Sequence, residues 1–382
     1  MSKINVRSPY YITTGTVTNL TSTQLELYIY QGTQGVGATA NSRPSTRTYL
    51  LNSFAVDNVC TFEIAELVRD YFINVFDGDY STDIWWVDYR TTTFVQGVAQ
   101  TTSGYTQLKA FFGYGLFEDG VQNQSTTINN QAVLQSNTKI VKLDDAPAVI
   151  AVDTSLATQV TYLNNGTQVF TKAISTSTNS NAQIEYVSSG VNGSDEFEDR
   201  VIQDGGTFEG SDCLTAFEGE YTLFDFDTIL VDSSTGVTKL TVTSESECKF
   251  TPYKITFINK FGVLQDIWFF KRTNETLTTK TEKFKKNIIS AASYSISNHQ
   301  DKTLTKNGKE KLTLNTGYYP EAYNDVFKEM QLSEDCWIEI NSKTLPIQVT
   351  SSSFAYKTQL NDKIINYTIE IEFAFDTINN IR

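Results

Sequence analysis

Apolar and polar residues alternate along much of this 382-residue chain, and strands are the element they predict most often. In Gln24–Tyr30, Leu25, Leu27 and Ile29 alternate with Glu26, Tyr28 and Tyr30, the period-2 signature of a half-buried strand. Asp83–Tyr89 and Tyr105–Tyr114 read the same way. Between them, Ile64, Leu67, Val68, Tyr71, Phe72 and Val75 recur at helical spacing and predict one short helix over Phe62–Val75, closed by the turn residues Asp77-Gly78-Asp79. Residues 1–121 are thus expected to form a β-sandwich-like domain with a single helix.

The Asn/Gln/Ser/Thr-rich stretch 122–138 reads as a polar linker or long loop. A second, β-rich domain is expected over 139–249. There Gln159–Leu163 and Thr167–Ala173 flank Asn164-Asn165-Gly166, and Asn-Gly between two such runs signals a tight hairpin. A further hairpin joins Glu220–Val231 to Val237–Thr243, and Ser189–Gly210, rich in Gly, Ser and acids, reads as an exposed loop.

Residues 250–382 change character. Tyr253–Asn259 and Val263–Phe270 flank Lys260-Phe261-Gly262, a short loop with glycine available for a positive φ. A basic run follows at Lys271, Arg272, Lys280, Lys283, Lys285 and Lys286, and Leu312–Leu314 reads as strand. A helix opens near Pro320, with Tyr323, Val326, Phe327 and Met330 on one face. Trp337–Ile340, Ile347–Thr350 and Ile365–Phe375 complete an antiparallel sheet, Ile369, Ile371, Phe373 and Phe375 facing one way and Glu370 and Glu372 the other. The expected class is therefore mainly β and multi-domain, ending in an α+β module of one antiparallel sheet and one helix.

Composition supports this class: 13% aromatic residues, abundant Thr, and only 6 Pro and 2 Met suit pleated surfaces and exclude coiled-coil, collagen-like and wholly disordered chains. Charge adds a partition. The formal net charge is −14, of which residues 151–250 carry −12, residues 1–150 carry −4 and residues 251–382 carry +2. An acidic middle is the wrong sign for a nucleic-acid partner, so none is expected. The N-terminus lacks the apolar stretch of a secretory signal, and no run approaches the apolar length of a spanning helix, so no membrane association is expected. Cys60, Cys213, Cys248 and Cys336 are too widely spaced for a disulfide scaffold and read as free thiols.

The search for catalytic chemistry yields little. His299, the single histidine, sits in a polar loop-like stretch and excludes HExxH and Cys/His zinc patterns. Neither a GxSxG elbow nor a Walker loop occurs, and no GxGxxG follows a strand. A two-carboxylate glycosidase needs no histidine, and the acids Asp195, Glu196, Glu198, Asp199, Asp204, Glu209, Asp212, Glu218, Glu220, Asp225 and Asp227 supply carboxylates without a pairing. They read as a solvated acidic surface; Ser194–Arg200 does not match an EF-hand loop for Ca²⁺. No catalytic, cofactor-binding or metal-ligating residue is assigned, no cofactor is expected, and the chain is not expected to be an enzyme.

Several segments carry a resemblance. INVRSPYYI, LELYIYQGT and TFEIAELVRDYF resemble the opening domain of structural proteins of tailed bacteriophages, particularly those infecting Bacteroidetes hosts. KITFINKFGVLQDIWFFKR resembles a hairpin that recurs in those proteins, and LTLNTGYYPEAYNDVFKEMQLSEDCWIEI with NDKIINYTIEIEFAFD resembles their C-terminal tail-tube or hub-like module. The resemblance covers about residues 4–90 and 250–376 and leaves the acidic middle unmatched. It implies a virion protein, made in the host bacterial cytoplasm, that builds a tail, baseplate or neck/collar. The implied partners are copies of itself in a ring-like homo-oligomer and other phage tail or neck proteins. The alternative is a carbohydrate- or receptor-binding adhesin-type β-sandwich, for which Trp85, Trp86 and Tyr89 are the candidate stacking platform, although adjacent strand residues point to opposite faces.

Overall fold

The computed structural model describes residues 2–34, 42–119, 131–144, 146–175, 183–188, 226–351 and 364–378. It is mainly β, with several sheets and, among the described residues, two α-helices.

The first sheet is built from β1 (Ser2–Asn5), β3 (Leu20–Tyr30), β4 (Tyr49–Phe54), β6 (Trp85–Val95), β7 (Val98–Thr102) and β8 (Thr106–Phe111). Its order is β1-β8-β6-β3-β4, with β7 also paired to β6. Leu25, Leu27 and Ile29 alternate inward as their period demands, and they share a core with Ile4, Val87 and Leu108. That core also takes in Ile12 and Phe62 from a small ladder of β2 (Tyr11–Thr13) and β5 (Thr61–Glu63), together with Val68 from α1 (Ala65–Arg69).

The helix expected over Phe62–Val75 is only the five residues of α1. Its apparent periodicity comes from apolar residues doing three different jobs. Phe62 is a strand residue, Val68 lies on the helix, and Tyr71 and Phe72 pack their rings edge-on to Trp85 at 5.3 and 6.4 Å. Beyond Arg69 a turn closes the helix, the Phe72 N–H reaching the Arg69 carbonyl at 3.0 Å, and the chain is then held by Asn74 Nδ2 donating to Asp335 Oδ2 at 2.8 Å and by Phe76 against Trp337 at 5.8 Å. Val75, expected on the buried face, is therefore turned outward and Phe76 inward.

The second sheet has the order β12-β11-β14-β15-β9, from β9 (Lys139–Leu143), β11 (Ala157–Asn164), β12 (Thr167–Ala173), β14 (Thr228–Ser233) and β15 (Gly236–Glu245). A two-stranded ladder of β10 (Val149–Asp153) and β13 (Ile184–Ser188) packs with it around Ile150, Val160, Tyr162, Ile229 and Leu240. The β11–β12 turn places Asn165 and Gly166 at φ 48° and 79°, the left-handed pair an Asn-Gly hairpin requires. The loop expected at Ser189–Gly210, and residues 220–225 of the expected strand, lie outside the described residues.

The third sheet comprises β16 (Tyr253–Ile258), β17 (Leu264–Phe269), β18 (Lys271–Lys285), β19 (Asp301–Pro320), β20 (Cys336–Ile340), β21 (Lys343–Val349) and β22 (Ile364–Phe373). Its order is β17-β16-β20-β21-β22-β19-β18, every pair antiparallel. Strands β17 and β18 lie at opposite ends of that order, yet only Phe270 separates them in sequence, so the sheet must curl until its ends approach. The backbone N–H of Phe270 reaches the Thr316 carbonyl at 3.4 Å across this closure. Helix α2 (Asn324–Leu332), entered through a 3₁₀ turn at Glu321–Tyr323, fills the enclosed space with Tyr323, Val326, Phe327 and Met330 against Phe257, Phe269, Leu314 and Ile371. Pro320 ends β19 and caps the 3₁₀ turn with extended backbone, so it stands just before the first helical position.

The three units meet in one apolar junction that joins Tyr30, Trp86 and Phe111 to Leu134, Ala151 and Ile184 and to Phe261 and Val263. Residues 131–138, part of the expected linker, are irregular but largely buried here. They tolerate burial because their polar groups are bonded: Asn259 Nδ2 donates to the Leu134 carbonyl at 2.8 Å and Gln135 Nε2 to the Asn137 carbonyl at 2.9 Å. Two chain segments cross back to back at Gly113 and Gly262. A Cβ on Gly113 would meet the Lys260 carbonyl oxygen at 2.4 Å, and one on Gly262 would meet Phe112 backbone at 2.7 Å.

Candidate interaction surface

The basic run of the third unit lies on β18 and its partner β19, and these two strands outgrow the sheet they belong to. β22 pairs with β19 only from Lys311 to Pro320, whereas β18 continues to pair with β19 out to Lys285↔Asp301. Residues 277–310 therefore form a two-stranded ribbon beyond the sheet, its paired part about 30 Å long at about 3.4 Å per residue. Thr276, Thr278, Thr279 and Thr281 favour strand geometry without demanding a buried face, which lets such a ribbon stand in solvent.

Its root is fixed by ion pairs. Lys271 Nζ lies 2.6 Å from Glu247 Oε2, and the hydrogen bond from Lys271, with backbone donors from Lys249 and Phe250, lowers the Glu247 pKa to about 2. Lys309 and Lys311 converge on Glu372 at 3.1 and 2.9 Å, and their hydrogen bonds hold that carboxyl below its ordinary range. Asn307 Nδ2 donates to Asp376 Oδ2 at 3.1 Å, and Gly308 accepts from the Thr377 N–H at 2.8 Å.

Further out, the ribbon's backbone hydrogen bonds among the described residues all fall within it. It carries seven lysines, Lys280, Lys283, Lys285, Lys286, Lys302, Lys306 and Lys309, against Glu282, Asp301 and Glu310, a net of +4 that leaves −18 for the rest of the chain. Leu277, Phe284, Ile289, Tyr294, Ile296 and Leu304 are exposed on it, Ile296 by 93%. At the tip Ser290 and Ser293 form a bridge around Ala291 and Ala292, both at positive φ, 50° and 59°. His299 is exposed near this tip. The sequence reads the basic run as a solvated strand face, as β18 is, but the extension of β18 and β19 beyond β22 depends on pairings that no local pattern reveals.

A second surface went unremarked. Between residues 66 and 83, Glu66, Asp70, Asp77, Asp79 and Asp83 are all exposed, and Arg69, the single base there, is paired with Glu334 at 2.7 Å. Ile73 and Val75 stand outward among these acids, 87% and 72% exposed. The signal was legible as five acids against one base within eighteen residues.

The remaining candidates separate. Trp86 is fully buried, its Nε1–H donating to the Gly32 carbonyl at 3.0 Å, while Trp85 packs on the opposite face against Tyr71, so Trp85, Trp86 and Tyr89 form no common platform. Of the acids from Asp195 to Asp227, only Asp227 lies among the described residues, and it accepts the turn N–H of Asn165 at 3.1 Å. Among the described residues no group of three or more His, Cys, Asp or Glu side chains is placed to hold a metal. Cys60 and Cys336 are buried free thiols and Cys248 is exposed; Cys213 lies outside the described residues. No helix among the described residues is long and apolar enough to cross a membrane.

No family model matches the chain. No curated protein matches it. A solved structure of extracellular domains 3–5 of Drosophila OTK is similar over 82% of this chain and 88% of its own length, at 9% identity and a TM-score of 0.20, too low to bear on fold or function.

Proposed function

We propose that this chain is a structural subunit of a phage virion, built into a tail, baseplate or neck/collar, and that it works through contacts with copies of itself and with neighbouring virion proteins. The observation that carries this reading is the ribbon at 277–310, a basic, apolar-studded projection on an otherwise acidic body. Its exposed Leu, Ile and Phe side chains stand to gain up to about 1.5–3 kcal/mol each on full burial, which a partner's surface would supply. The resemblance of residues 4–90 and 250–376 to Bacteroidetes-phage structural proteins supports the same reading. So does the architecture: three units locked through one junction make a body suited to transmit position. The adhesin-type alternative loses its platform with the burial of Trp86.

The test is mass photometry and negative-stain microscopy of the purified 42.9 kDa chain. Rings or discrete multiples of the subunit are expected. A compact monomer at every concentration that instead binds polysaccharide would overturn the reading.

A further inference from the structure

Resting on that self-assembly reading, we infer that the ribbon at 277–310 docks on the acidic segment 66–83 of a second copy of this chain. The two surfaces are opposite in charge, and both carry exposed apolar side chains. The ribbon carries a net +4 and the segment a net −4. Each sets exposed apolar side chains among its charges: Leu277, Phe284 and Leu304 along the ribbon, and Ile73 and Val75 between Asp70 and Asp77.

The acceptor is also preorganised. Asn74 is tied to Asp335, Phe76 packs on Trp337, and the Tyr80 hydroxyl donates to Asp266 Oδ2 at 2.5 Å, so the inward residues clamp the segment while Ile73 and Val75 point out. A surface fixed in this way loses little conformational freedom on binding. Among the described residues no backbone hydrogen bond or strand pairing joins the ribbon to segment 66–83 of its own chain. A ribbon-to-segment contact joins different faces of identical subunits, the heterologous geometry that closes into rings or runs into filaments.

A second copy fits better than a polyanion. The partner must offer both carboxylates and apolar side chains, and a nucleic-acid duplex presents charge without such a face. An anionic bilayer presents both, but the −18 of the remaining chain opposes its approach.

The experiment is a charge swap in the full chain, read by sedimentation equilibrium at about 50 mM NaCl, where surface charges act over more than ~10 Å. One variant carries Lys280→Glu, Lys283→Glu and Lys285→Glu; another carries Asp70→Lys, Asp77→Lys and Asp79→Lys; a third combines them. Circular dichroism checks that each folds. Either set alone is expected to weaken association by about tenfold or more, and the combination to recover most of it. If the wild type assembles and neither set changes it, this docking is wrong while the structural-subunit reading stands. If ribbon reversal abolishes association and the swap does not restore it, segment 66–83 is not the acceptor. A wild type that stays monomeric overturns both. Ribbon-dependent sedimentation with phosphatidylserine vesicles, without self-association, overturns the docking in favour of a lipid surface.

Discussion

Removing the charge of Asp153 tests what fastens the first sheet to the second unit. Lys3, on edge strand β1, lies opposite Lys109 on β8, and both ammonium groups point at the second unit. Lys3 Nζ is 2.6 Å from Asp153 Oδ2, with side-chain exposures of 8% and 0%, and Lys109 donates to Gln183 Oε1. Asp153 Oδ1 accepts from the Ser155 N–H at 2.9 Å and the Ser155 hydroxyl at 2.5 Å. One buried carboxylate thus answers two buried ammonium groups. Burial pushes the Asp153 pKa up, but the Lys3 charge and hydrogen bond, helped by Ser155 and Lys109, outweigh it and hold the pKa below its ordinary value. Burial pushes the Lys109 pKa down, against the opposing pull of Asp153.

Asp153→Asn keeps the shape and an acceptor for Ser155 but strands both lysines. Losing one partner of a buried pair costs about 3–5 kcal/mol, and these side chains are too buried for solvent screening to discount that figure. Lys3→Met leaves Asp153 with Lys109 and is expected to cost less, and the double-mutant cycle should show a coupling of about 2–3 kcal/mol. Urea denaturation followed by tryptophan fluorescence reads the loss, with buried Trp86 reporting from the junction. The pH dependence has a definite sign. A depressed folded-state pKa gives stability that is complete above the unfolded value, about 3.9, and is lost as pH falls through the lower folded value. The gap between wild type and Asp153→Asn should therefore narrow from pH 5 to pH 3 and below. A cost under about 1 kcal/mol at pH 7, or a gap indifferent to pH, would refute the claim that this pair fastens the two units.

Three further outcomes are expected. Asn259→Ala removes the donor to the Leu134 carbonyl and the acceptor for the Phe261 N–H (2.9 Å), and should cost about 2–4 kcal/mol in urea denaturation by leaving both buried groups unpaired. Burial raises the pKa of Glu329, against a hydrogen bond from Ser136 and the charge of Lys260 at 3.8 Å, so its ionisation opposes folding increasingly as pH rises through that elevated value. Glu329→Gln should be neutral near pH 5 and stabilising by up to about 1 kcal/mol near pH 8, seen as a flatter plot of urea midpoint against pH. Replacing Ala291 and Ala292 with Asn and Gly removes a left-handed backbone cost of about 1 kcal/mol or more, and should slow amide exchange at Ser290 and Ser293 by about fivefold or more.

What the chain disclosed in advance was whatever rests on local contrast. Asn165-Gly166 and Gly262 announced their turns through glycine chemistry, and Ile369, Ile371 and Phe373 announced a buried strand face through alternation against Glu370 and Glu372, although Phe375, expected on the same face, lies past the end of β22 and is exposed. What stayed hidden depends on distant partners. The parallel pairings Ser2↔Leu108 and Lys139↔Thr241 join residues far apart in sequence, and nothing in either segment specifies the other. The 62–75 helix misled because strand, helix and non-helical packing happened to share one period. Gln135 and Asn137 looked like linker residues because composition does not reveal that buried amides here bond to the backbone. The candidate surface divided the same way: its charges were visible as composition, but its form required knowing that β22 stops where β18 and β19 continue.

The use of charge separates the body from its projection. Inside and between the units, charged groups are matched: Lys3 with Asp153, Arg7 and Arg69 with Glu334, Lys271 with Glu247, Lys309 and Lys311 with Glu372. On the ribbon, the six lysines beyond Lys309 make no ion pair among the described residues. A fifteen-residue strand at the end of a sheet is a template for pairing with another such strand, and exposed lysines are a common defence against that. Two ribbons of +4 repel one another, so the same lysines that discourage ribbon-to-ribbon pairing leave an acidic surface as the favoured neighbour. Discouraging the symmetric contact while favouring the asymmetric one is what a subunit needs to join head to tail rather than close as a dimer.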